Sequence, residues 1–243
     1  LEHLQEVLVS GYPGRGLHGQ TVALLGARIV SGGVAPGTVL DLAALGRELD
    51  LSMTALREAL KVLAAKGLVG ARQRRGTFVR ARSEWNLLDG DVLRWRGEAG
   101  DTRILLRDLA EVRATVEPAA AALAALRRDG ADLAELDAAL TEMADAGDPS
   151  AEVAADLRWH RALLAATHNE LFAGMDVFLE PALRVRDLLV HAADADDPLP
   201  THSAVVDAIR RADPDAASAA ARALLDKSAH DADATVRPGQ ERR

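Results

Sequence analysis

Asp156 and His160 stand one helical turn apart, so on a helix both side chains leave the same face. That face also carries Val153, Leu157, Leu164 and Thr167, while Arg158 and Arg161 project elsewhere. A carboxylate set inside an apolar stripe is costly unless it is paired or ligated. His202 repeats the anomaly, because it leads Val205, Val206 and Ile209 on the inward face of another helical pattern. A carboxylate and two imidazoles converging from two helices suit a divalent metal ion of the Zn, Ni or Mn type. The same spacing also suits a buried Asp–His hydrogen bond with His202 elsewhere, and spacing alone does not separate the two.

A second set of residues suits a polyanion. Arg47, Thr54 and Arg57 fall on two short helical patterns, and Arg74-Arg75-Gly76-Thr77 falls at the tip of a hairpin pattern. Arginine can contact guanine bidentately in the major groove, and side chains near the start of a docked helix reach base edges. That makes Thr54 and Arg57 candidates for base contact, with Arg47 able to reach backbone or base. Arg74, Arg75 and Gly76 suit phosphates or the minor groove, glycine permitting close backbone approach.

The elements that must position these groups are legible from periodicity and punctuation. A helix is predicted from about Gln20 to Val30, ended by Ser31-Gly32-Gly33. Asp41 is placed to cap a helix through Glu48, and Ser52 a second one through Ala65 with Leu56, Leu60 and Leu63 inward. Gly67 ends that helix. Leu68–Gln73 and Thr77–Arg80 read as the strands of the hairpin. Residues 1–17 form an arm, 18–81 a winged helix-turn-helix and 82–101 a connector containing Trp85 and Trp95.

Beyond the connector, helices are expected over 102–128, 132–146, 149–167, 169–192, 200–212 and 214–232, with a tail over 236–243. Asp148-Pro149 and Asp213-Pro214 are helix starts, carboxylate at the cap and proline in the first turn. Pro118 interrupts the bonding of the 102–128 helix and should kink it. The fold class is therefore mainly α, a winged helix-turn-helix (three helices plus a β-hairpin) followed by an all-α helical bundle over 102–235.

Composition sets the frame. The 243 residues carry no cysteine, which removes disulfides and thiolate metal sites and fits a cytoplasmic protein. The net charge of −8 conceals an asymmetry. Residues 1–82 hold 11 basic and 6 acidic residues, whereas the remainder holds 18 and 31. Only the front of the chain is suited to phosphate. No apolar run is long enough to span a bilayer.

Residues 38–80 resemble the winged helix-turn-helix of the GntR family of bacterial transcription regulators. The motifs that carry the resemblance are Arg57-Glu58-Ala59-Leu60, Lys66-Gly67-Leu68-Val69 and Arg74-Arg75-Gly76-Thr77-Phe78-Val79. Met53 departs from the pattern, standing where the family usually has a polar or arginine residue that touches DNA. Residues 102–232 resemble the all-helical FCD effector domain of the FadR subgroup, through Arg113-x-x-x-Glu117-Pro118-Ala119-Ala120, Asp156-x-x-x-His160 and His202 leading Val206-x-x-Ala208-Ile209.

The resemblance implies a metal site at Asp156, His160 and His202. A fourth histidine, found in metal-binding members, is replaced by Leu224. His230 is badly phased to substitute for it, His191 is a possible recruit, and His168 with Asn169 suits capping. With the connector Trp85-Asn86-Leu87-Leu88-Asp89-Gly90-Asp91-Val92-Leu93-Arg94-Trp95, it points to members that respond to sugar acids and small hydroxy acids. Arg113 would then meet the effector carboxylate, the alternative being an internal Arg113–Glu117 pair on a solvated face. Arg184 and Arg186 are weaker candidates.

The expected function is a homodimeric, non-enzymatic repressor. A small carboxylate bound near the metal controls its grip on a pseudo-palindromic double-stranded operator. Two other readings share residues with this one: a metal-dependent hydrolase using Asp156, His160 and His202, and an all-helical interaction module without a ligand.

Overall fold

A computed structural model describes residues 17–236, apart from 75, 178, 181, 182 and 184–196. Arg75, Arg184, Arg186 and His191 lie outside the described residues, as do the expected arm up to residue 16 and the tail from 237. The chain divides into two compact units, residues 1–102 and 103–243.

The first unit opens with α1 (Leu17–Val30), which begins three residues earlier than its periodicity suggests. Helix α2 (Leu42–Glu48) starts where Asp41 accepts hydrogen bonds from the amides of Ala43 and Ala44. Helix α3 (Met53–Ala65) starts where the Ser52 hydroxyl accepts from the Ala55 amide. Both caps satisfy amides that a helix start leaves unpaired. Leu56, Leu60 and Leu63 face inward as expected, packed with Val22, Leu25 and Ile29 of α1. After α3, Gly67 takes φ +76, and a Cβ there would lie 2.6 Å from the Glu84 carbonyl oxygen, so glycine is required twice over.

Strands β1 (Val69–Arg72) and β2 (Gly76–Val79) pair antiparallel, Val69 opposite Val79 and Arg72 opposite Gly76. The sheet has a further edge that alternation did not reveal. Gly37 and Leu40 donate to Val79 and Thr77 carbonyls, Val79 donates to Thr38, and Val39 bridges Phe78. A stretch containing Pro36-Gly37 lacks the strand signature, and the pairing is supplied by β2.

Part of the segment expected as a connector packs into the core of the first unit. Helix α4 (Gly90–Arg96) is capped by Asp89 and buries Val92 and Trp95 with α1. A Cβ on Gly26 would meet the Trp95 ring at 2.3 Å, so only glycine leaves room for the indole. Lys66, at the end of α3, places its ammonium 2.9 Å from Asp89 and 2.7 Å from Asp91, tying α3 to the start of α4. The backbone leaves helical geometry at Gly100, φ +91, within the Gly97–Asp101 turn.

In the second unit, α5 (Thr102–Arg127) continues through Pro118. Helix α6 (Gly130–Asp145) begins two residues before its expected start, because Asp129 and Asp132 form a reciprocal cap. Helix α7 (Pro149–Ala165) has Asp148 as its cap and proline in its first turn. The helix expected over 169–192 is broken: α8 covers only Glu170–Ala173, with Gly174 and Met175 in a turn. Its apolar pattern runs on across the break, so periodicity alone does not register it. Helices α9 (Leu199–Arg210) and α10 (Pro214–Val236) follow. The core is built from alanine and leucine, with Trp159 fully buried among them. No helix among the described residues is long and apolar enough to cross a membrane.

Candidate functional site

Helices α5, α7 and α9 deliver Arg113, Glu117, Asp156, His160 and His202 to one place, each no more than 6 % exposed. Asp156 and His160 share the inward face of α7, as their spacing requires. Arg158 and Arg161 point outward to acidic partners, Arg158 to Glu135 and Glu142, Arg161 to Glu180.

The orientation of each imidazole follows from its neighbours. The Nδ1 of His202 lies 2.8 Å from the Pro198 carbonyl oxygen, which has no hydrogen to give, so Nδ1 carries the proton and donates. Its Nε2 then faces Asp156 Oδ1 at 3.0 Å and makes no hydrogen bond. The Nε2 of His160 lies 3.1 Å from Arg113 Nη2, and guanidinium can only donate, so this nitrogen presents its lone pair. The Nδ1 of the same ring faces Glu117 Oε2 at 3.2 Å, off the line of a well-formed hydrogen bond. A carboxylate there favours the proton on Nδ1. Both contacts therefore select one tautomer. Trp159 fixes the rings further, meeting His160 and His202 edge-on at 5.0 and 4.6 Å between centroids.

These donors fit a metal ion. Asp156 Oδ2 is 3.5 Å from His160 Nε2, and Asp156 Oδ1 is 3.0 Å from His202 Nε2. Metal–ligand bonds of about 2.0–2.1 Å at tetrahedral angles place ligand atoms roughly 3.4 Å apart. Leu224 is buried in the core and offers no donor, so three protein ligands are present at most from the expected set. His230 is exposed. Asn169 caps α8, as expected at this junction, whereas His168 pairs with Asp132 at 2.7 Å rather than capping a helix.

Sequence reasoning gave Glu117 no role beyond a pair with Arg113. The Arg113–Glu117 pair is not on a solvated face: both are about 2 % exposed, joined at 2.6 Å from Nε to Oε1. Burial pushes the Glu117 carboxyl up, but the Arg113 guanidinium beside it outweighs burial and holds it well below the usual carboxylate range. The available signal was the i,i+4 spacing of Arg113 and Glu117 within the same stripe as Leu109 and Ala120.

The DNA-facing candidates lie in the first unit. Arg47 on α2, and Thr54 and Arg57 at the start of α3, are exposed. Arg74 and Gly76 occupy left-handed backbone at the hairpin tip, φ +66 and +84, and Thr77 is half-buried in β2. Arg72, which was not singled out, stacks its guanidinium over Phe78 at 4.6 Å and so braces the wing. Met53 is partly exposed as the first residue of α3.

A winged helix-turn-helix followed by a helical unit with a buried polar centre is the architecture of a DNA-binding regulator. The family described as "Bacterial regulatory proteins, gntR family" matches residues 17–79, and the FCD domain matches residues 108–227. The galactonate operon transcriptional repressor of Escherichia coli (strain K12) is 38% identical over 212 residues, which cover 85% of this chain and 93% of that one. The HTH-type transcriptional regulator YieP of the same organism is 32% identical over 205 residues, 83% and 89% of the two chains. The solved structure of Lar, from Listeria monocytogenes, shares the fold at a TM-score of 0.64 and 18% identity, covering 92% of this chain and 99% of that one. The chain belongs to the GntR family of transcriptional regulators and carries an FCD domain.

Proposed function

We propose that this regulator is a repressor whose operator affinity is set by a small hydroxy carboxylate at a metal centre of Asp156, His160 and His202. The observation that carries the reading is the convergence of two imidazole nitrogens on one buried carboxylate, at 3.0 and 3.5 Å. A bound ion would supply a Lewis-acidic anchor with open positions for a chelating carboxylate and hydroxyl. Arg113 keeps its Nε bond to Glu117 and turns its outer nitrogens toward the ligand carboxylate, a contact suited to guanidinium. The similarity to a galactonate operon repressor supports a sugar acid as the ligand class.

Operator contact is assigned to Arg47, Thr54 and Arg57 on the helices and to Arg74, Arg75, Gly76 and Thr77 at the wing. The active species is a homodimer, since one small module makes too few contacts for tight specific binding. Because α4 belongs to the core of the DNA-reading unit, the signal passes through Gly97–Asp101, where Gly100 interrupts the helical backbone.

The test is operator binding by the zinc-loaded protein titrated with galactonate, lactate and acetate, with and without chelator. A metal-dependent loss of operator affinity with a hydroxy acid supports the reading. Operator affinity unchanged by every acid in the loaded protein refutes it.

A further inference from the structure

We infer that Glu117 is the positioning residue of this centre, one buried carboxylate that sets the His160 tautomer and holds Arg113 in place beside it. The inference rests on the metal reading above. Three distances support it. Glu117 Oε1 accepts from Arg113 Nε at 2.6 Å, and Oε2 lies 3.4 Å from Arg113 Nη2 and 3.2 Å from His160 Nδ1. The Nδ1 of His160 is buried and makes no hydrogen bond; the carboxylate it faces is that of Glu117, whose charge favours the proton on this ring nitrogen.

With the proton on Nδ1, Nε2 is the nitrogen left to bind a metal beside Asp156. A carboxylate behind a ligating imidazole fixes the ring and raises its basicity. The same carboxylate anchors Arg113 through Nε, while Arg113 Nη2 lies 3.1 Å from the ring nitrogen that a metal would use. Removing the charge of Glu117 therefore harms the site in two separable ways. His160 loses its tautomer control, and Arg113 loses its counter-charge and is free to occupy Nε2 more fully.

The two effects are resolved by a double-variant cycle on the full chain, with Zn²⁺ alone as the probe and its affinity read by competition with a chromophoric chelator. The variants are Glu117→Gln, Arg113→Met and the two combined. The combined variant leaves no unpaired buried charge from this couple, so it remains informative if Glu117→Gln alone folds badly. Glu117→Gln is expected to bind Zn²⁺ about 10–100-fold more weakly than wild type, the range for such supporting groups. A smaller loss, the part that acts through His160, is expected on comparing the combined variant with Arg113→Met, because that effect needs no arginine. If the combined variant binds as tightly as Arg113→Met, the carboxylate acts only by restraining Arg113, and the inference fails while the metal reading stands. A wild-type protein that binds no Zn²⁺ overturns both.

Discussion

Asp156 Oδ1 and His202 Nε2 stand 3.0 Å apart although 46 positions separate the residues in sequence, and no hydrogen bond joins them. His202 directs its Nδ1 at the Pro198 carbonyl. Its Nε2 faces the Asp156 carboxylate, an arrangement that a divalent cation would suit.

Metal content and stability should therefore respond together to Asp156. The purified protein is expected to retain a divalent ion, detectable by elemental analysis, and to melt at a lower temperature in chelator. A ligand present at about 100 times its Kd adds roughly 2.7 kcal/mol. Asp156→Ala should hold no ion above background and show no chelator effect. Equal metal content in variant and wild type would mean that this carboxylate is not a ligand.

Charge at the base-reading helix and at the wing should have different signatures. Arg57→Ala is expected to cost about 1–3 kcal/mol on the operator and to relax preference at one base position. Arg74→Ala should weaken all duplexes alike and lower the salt slope by about 1. Fluorescence anisotropy on specific and scrambled duplexes at several salt concentrations distinguishes them. Loss of sequence preference in the Arg74 variant would place base readout at the wing.

The Glu117 carboxyl gives acid sensitivity a direction. Its folded-state value lies below the unfolded one, which is about 4.3. A depressed carboxyl contributes stability that is fully present above the unfolded value and is lost as pH falls through the folded one. Melting temperatures recorded in chelator from about pH 6 down to about pH 3 should therefore fall more steeply for wild type than for the Arg113→Met/Glu117→Gln pair. Parallel curves would show that other groups set the acid limb.

Gly26→Ala tests the packing of α1 against α4. Its Cβ would lie 2.3 Å from Trp95, so the indole or the helix must move, at a cost of about 1–3 kcal/mol. Urea denaturation read by tryptophan fluorescence reports the change. An unaltered midpoint would mean that α4 is free to shift.

The capped starts of α2, α3 and α7 were legible because a cap is a local device, a side chain reaching two or three residues along its own backbone. The inward faces of α3 and α7 were legible for the same reason: helical period decides which residues share a face. The pairing of residues 37–40 with β2 was not, since a strand edge depends on a neighbour that local pattern does not name. Nor was the end of the helix expected from residue 169, where the turn at Gly174 and Met175 interrupts an unbroken apolar pattern.

The mainly helical class, the basic hairpin, and the inward placing of Asp156, His160 and His202 follow from local pattern, because spacing within one element fixes direction. Long-range packing is what buries Arg113 and Glu117 beside His160, brings α4 into the DNA-reading core, and turns each imidazole toward its neighbours. Those outcomes depend on contacts between elements far apart in the chain, where packing, rather than periodicity, chooses the neighbours.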